Sequence, residues 1–140
     1  MTDIAMILDR LGKKLVADVT PKLEGDYAAG HVSMTGLMMV MAGEMWDGAS
    51  ERLVNEIKGI RALLDGHVDI SAIKASPSLK VSDLTVERDA LARQLIALQA
   101  AVETRGDDAS KALNARIWGH LMQTTMARMP SPPSFAPPED

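Results

Sequence analysis

Met34-Thr35-Gly36-Leu37-Met38-Met39-Val40-Met41-Ala42-Gly43 carries no charge, and it lies inside a longer run, Asp26 to about Leu64, that reads as helix throughout. Tyr27, His31, Met34, Met38, Met41 and Met45 step by threes and fours, which keeps them on one helical face. Ala42, Trp46, Ala49, Leu53, Ile57, Ile60 and Leu64 continue an apolar stripe slightly round the axis. Glu44, Asp47, Glu51, Asn55 and Lys58 lie opposite it. The second half is therefore an amphipathic helix with one wet face. In the first half Leu37, Met39 and Val40 point away from the methionine stripe and are apolar too, so residues 34–43 are apolar all round. Such a segment is surrounded by protein or by lipid.

Protein is the expected surrounding. The uncharged run from Tyr27 to Gly43 falls short of the roughly 20 apolar residues of a membrane span, and it contains His31, Ser33, Thr35 and three glycines. No basic cluster flanks it to set an orientation. The expectation is no membrane span, with the segment covered by the chain's other helices or by a second copy.

The remaining chain supplies those helices. Thr2 or Asp3 caps a first helix with the stripe Ile4, Leu8, Leu11, Leu15 and Val19, which Thr20-Pro21 ends or kinks. Asp26 caps the second, expected as one long central helix over about 26–65. Its weak point is Gly43–Gly48, where it kinks, or breaks with Asp47 as a fresh cap. Asp65-Gly66 ends it. Residues 67–81 form a crossover that carries Ile70, Ile73 and Leu79. Ser82 or Asp83 opens a third helix striped by Leu84, Leu91, Leu95, Leu98 and Val102. Gly106-Asp107-Asp108 turns into a fourth, with Leu113, Ile117, Leu121 and Thr124 on one face and Trp118, Met122 and Met126 beside it. No segment alternates as a strand does. The expected fold is all-α, an antiparallel four-helix bundle over residues 1–129, followed by a proline-rich, flexible or extended tail at 130–140.

Composition narrows the functions. With 140 residues the chain is one domain by length. It has no cysteine, which excludes disulfides, thiolate metal sites and cysteine nucleophiles. The start Met1-Thr2-Asp3-Ile4 has no basic region followed by a long apolar run, so a cytoplasmic location is expected. A net charge of −4 and four aromatic residues, Tyr27, Trp46, Trp118 and Phe135, offer neither a basic stripe nor a stacking platform; nucleic acid is not an expected partner.

Catalytic signatures are missing as well. No glutamate is followed three positions on by histidine, the spacing a di-iron bundle needs. Gly106-Asp107-Asp108-Ala109-Ser110-Lys111 lacks the second glycine of a phosphate loop and is acidic where phosphate would sit. No nucleophile elbow occurs. No catalytic residue, no metal ligand and no cofactor is expected, and acid–base groups for an enzyme would have to come from His31, Glu44, Asp47 or His120.

Two readings of the ten methionines remain. In the first the protein is a non-catalytic interaction module and homodimer that self-associates through residues 34–43, with Leu37, Met39 and Val40 at the interface. In the second, His31, Met34, Met38, Met41, Met45 and Trp46, with His120 and Met122 from the last helix, hold a small apolar ligand or a haem-like cofactor. Methionine stripes more often pack than ligate, which favours the first.

Overall fold

A computed structural model describes residues 2–132 and 135. Among the described residues the chain is all-helical, with no strand. The helices are α1 (Asp3–Lys14), α2 (Ala28–Asp47), α3 (Ala49–Leu64), α4 (Val81–Glu103) and α5 (Asp108–Ala127). The expected continuous helix over 26–65 is not found. It stops at Asp47, Gly48 takes a non-helical turn (φ −98°, ψ 9°), and α3 starts at Ala49. The weak point was legible and the break is what occupies it: glycine there has no side chain to favour the helical state over the turn.

That break divides the chain into two compact units. One contains the residues up to Gly48 and the segment from Pro130; the other is Ala49–Met129. The first unit holds the helical hairpin α1–α2 and the second holds the three helices α3, α4 and α5.

In the hairpin, Thr2 caps α1 by accepting from the Ala5 amide at 3.3 Å, and Lys13 and Lys14 favour its negative end. A π-helical turn, Leu15–Val19, follows, in which the Thr20 amide and hydroxyl both donate to the Leu15 carbonyl. Thr20–Leu23 tightens to a 3-10 turn with Pro21 at its start, and Gly25 reverses the chain at φ +90°. Asp26 accepts from the Ala28 amide at 2.9 Å in a turn just ahead of the helix; the N-cap position is Tyr27, which makes no side-chain cap bond, so Asp26 is not the cap that the sequence suggests. At the other end the Thr2 amide donates to the Asp47 carboxylate at 2.9 Å.

Glycine sets how closely α1 and α2 approach. A Cβ on Gly12 would lie 2.4 Å from the Gly36 carbonyl oxygen, one on Gly36 would lie 2.6 Å from that of Gly12, and one on Gly43 would lie 2.8 Å from that of Ala5. Ala5 therefore meets Gly43 while Gly12 meets Gly36, an antiparallel register repeating every two turns. Val40 is buried at the same seam, its Cγ2 beside Gly12.

The three-helix unit holds the large core. Ile57, Ile60, Leu63 and Leu64 of α3 pack with Leu84, Leu91, Leu95, Leu98 and Val102 of α4 and with Leu113 and Ile117 of α5. Apart from Leu63, which the predicted stripe does not include, these residues belong to the stripes that the sequence periodicity predicts. Asp107 caps α5, accepting from the Ser110 amide (2.9 Å) and hydroxyl (2.8 Å), and these bonds hold its carboxyl below the ordinary carboxylate range. The crossover before α4 is irregular, with Val68, Ile70 and Ile73 packed on the core; Leu79 is exposed. Its backbone is pinned by Glu87 of α4, a buried carboxylate. Arg61 donates to one Glu87 oxygen through Nε (3.0 Å) and Nη2 (2.7 Å), and the Ser76 amide donates to the other at 2.6 Å. Of the tail, Ser131 donates through its amide and hydroxyl to the Glu44 carboxylate; the expectation for residues 133–134 and 136–140 lies outside the described residues.

Candidate functional site

The hairpin presents the methionine stripe outward. Met34 and Met38 are each two residues from Gly36, and Met45 is two from Gly43. At about 100° per residue that places all three on the side of α2 opposite the glycine seam. Their exposures are 58%, 63% and 43%. His31 is exposed on the same stripe, its ring edge-on to that of Tyr27 at 4.9 Å, and Met41 is half-buried. Trp46 is exposed beside them. On α1, Ile4, Ile7 and Leu11 recur at helical spacing and are also about half exposed.

What the hairpin buries is small. Its buried residues are Ala5, Gly12, Gly36, Val40 and Gly43; among its described residues no Leu, Ile or Met side chain is buried. Of the three expected interface residues, Val40 is therefore occupied inside the hairpin, while Leu37 and Met39 are half-buried. One side of the segment 34–43 meets α1, and on the other side Met34 and Met38 are exposed.

His120 and Met122, grouped with the methionine stripe in the sequence reading, belong to the other unit. Met122 is exposed with Trp118 and Met126 along α5. His120 faces α3. A Cβ on Gly59 would lie 2.5 Å from its Cε1 and 2.7 Å from its Nδ1, so the glycine makes room for the imidazole. Around them is a cleft of about 220 Å³ between α3 and α5, lined by Arg52, Asn55, Glu56, Gly59, His120, Gln123, Thr124, Ala127 and Arg128. The Glu56 side chain is 11% exposed. Both of its oxygens accept from Arg128 Nη2, and Arg88 lies 3.5 Å away.

Burial pushes the His120 imidazole below its ordinary value; the nearby Glu56 opposes this and Arg128 reinforces it. A base whose folded-state value is depressed adds no pH dependence above the ordinary imidazole range, and stability declines as pH falls through that range. The His120 ring resonances are expected to titrate below those of a free imidazole in an NMR pH series; a midpoint at or above the free value would contradict the burial. The sequence marks His120 as a candidate and carries no motif that joins it to Arg52, Glu56, Gly59 or Arg128. The one local signal was Gly59, a glycine inside a helix and hence a mark of close approach.

Among the described residues no group of three or more His, Asp or Glu side chains is placed to hold a metal ion, and no helix is long and apolar enough to cross a membrane. Fold and surfaces define an all-α protein made of a glycine-seamed hairpin with an open methionine face and a three-helix unit with a polar cleft. No protein-family model matches the chain, and comparison with curated proteins and with solved structures gives no match.

Proposed function

We propose that the protein is a non-catalytic association module whose α1–α2 hairpin pairs with the hairpin of a second copy. One observation carries this reading: large apolar side chains of the hairpin stand open to solvent while its interior holds alanine, valine and glycine. Helices become stable by burying an apolar stripe against another layer, and here α2 uses its glycine side for α1 and leaves the methionine side for the next partner. Two hairpins would supply four helices, a common antiparallel arrangement. Each Ile, Leu or Met fully buried contributes about 1.5–3 kcal/mol, so a handful per copy offsets the roughly 4–15 kcal/mol that association costs. Methionine suits a self-complementary surface because its unbranched thioether adapts to the opposing contour. The contact falls on Met34 and Met38, and not on Val40.

Native mass spectrometry of the untagged protein is expected to show a dimer. Met38→Glu, a change at an exposed position, is expected to convert it to a monomer with unaltered helical circular dichroism. A monomeric parent protein, or a variant that stays dimeric, would overturn the reading. An added mass that survives gentle ionisation and is lost with Met38→Glu would instead favour an apolar ligand on the His31–Met45 stripe.

A further inference from the structure

We propose that Met34 and Met38 are modification sites, at which hydrogen peroxide converts the thioethers to sulfoxides and so separates the paired copies. This rests on the dimer reading and assigns that surface its regulation. Met34 and Met38 lie one turn apart on α2 and are its most exposed methionines, at 58% and 63% in the single chain. Oxidation follows exposure, so these two sulfur atoms are the ones on α2 that a small oxidant in water reaches first. It reaches them in the free copy that is in equilibrium with the dimer. The chain has no cysteine, so no thiol of its own competes for the oxidant.

Hydrogen peroxide alone balances the step. A sulfur lone pair attacks one peroxide oxygen, and the S–O bond forms as the O–O bond breaks. The second oxygen leaves as water with both protons. Sulfur gives up two electrons, and the peroxide is reduced by two.

The product changes what the face can meet. A sulfoxide is polar and, once buried, needs a donor for its oxygen. In a two-fold contact each copy opposes the same stripe, and that stripe has little to donate. Leu37 and Met41 beside the pair carry no N–H or O–H on their side chains, and the Thr35 hydroxyl already donates to the His31 carbonyl at 2.8 Å. Two unpaired sulfoxides per copy are expected to weaken association by about a hundredfold or more. The hairpin itself is spared, because its interior is the glycine seam and Val40 on the far side of α2. Leucine would fill the same face but has no atom to oxidise. Methionine adds a chemical switch that is reversible by reduction.

Native mass spectrometry of the full chain before and after hydrogen peroxide, with peptide mapping of the sulfoxides, tests this. The expected result is a dimer before treatment and a monomer after it, with one oxygen added at each of Met34 and Met38 and unaltered helical circular dichroism. The double variant Met34→Leu, Met38→Leu is expected to remain dimeric under the same treatment. Met122, Met126 and Met129, which are 66%, 65% and 67% exposed in the other unit, still gain oxygen in that variant. Replacing those three by leucine instead is expected to leave the parent's response unchanged. A monomeric untreated protein would overturn the dimer reading and this proposal together. A dimer that persists with Met34 and Met38 oxidised would overturn this proposal and leave the dimer reading standing. So would a triple variant that no longer dissociates, or Met34 and Met38 left unoxidised while Met122 and Met126 react.

Discussion

Glu87→Ala is expected to lower the stability of the three-helix unit by about 2–4 kcal/mol, among the larger costs of a single substitution. The carboxylate is buried and makes three hydrogen bonds, two from Arg61 and one from the Ser76 amide. Removing it leaves a guanidinium and a backbone N–H without their acceptor. Arg61 keeps a bond to the Ile73 carbonyl at 3.3 Å and a third of its side chain in water, which holds the cost below that of a fully buried charge. Glu87→Gln retains an acceptor for Ser76 and loses the charge, so about 1–2 kcal/mol is expected. Denaturation of the variants checks the order. Limited proteolysis checks the place, since cleavage within residues 70–80 should accelerate before the helices unfold. Equal stability of the alanine variant and the parent would show that the carboxylate does not hold the crossover.

Gly12→Ala is the second large effect, and its sign is the test. Alanine favours a helix by about 1 kcal/mol over glycine, and at Gly119, in α5 with nothing within 4 Å of an added Cβ, that gain should appear undiminished. At Gly12 the new methyl would stand 2.4 Å from a backbone carbonyl of α2 and 2.7 Å from the Val40 side chain. A carbonyl on a helix cannot rotate away, so α1 and α2 must move apart along their seam. Overpacking of this kind costs about 1–3 kcal/mol, and the contact it opens is the hairpin's whole interior. Amide hydrogen exchange across residues 3–47 is expected to quicken in Gly12→Ala and to stay unchanged in Gly119→Ala. A Gly12→Ala hairpin as protected as the parent would show that the helices do not approach as described.

Both predictions concern residues whose roles depend on chain segments far apart, and the same division separates what was legible in the sequence from what was not. The helices α1, α4 and α5 follow from local chemistry: threes-and-fours spacing of Leu84 to Val102 and Leu113 to Ile117, and oxygen-bearing caps at Thr2 and Asp107. The methionine stripe was equally legible, because Met34, Met38 and Met45 share a face in any helix. The run 34–43 was ambiguous for a physical reason. When every direction round a helix is apolar, periodicity carries no information about which side meets a neighbour.

Tertiary structure decided that question through glycine. Gly36 and Gly43 present bare backbone to Ala5 and Gly12, draw Val40 into the seam, and leave the methionines outside. At Gly48 local preference leaves a bend and a break both open, and the structure has the break. The pairs Glu87–Arg61 and Glu56–Arg128, and the placing of His120 on Gly59, join positions that no sequence spacing relates. Helical periodicity and capping are properties of a few neighbouring residues and can be read along the chain. Which helix covers which face is a property of the assembled fold.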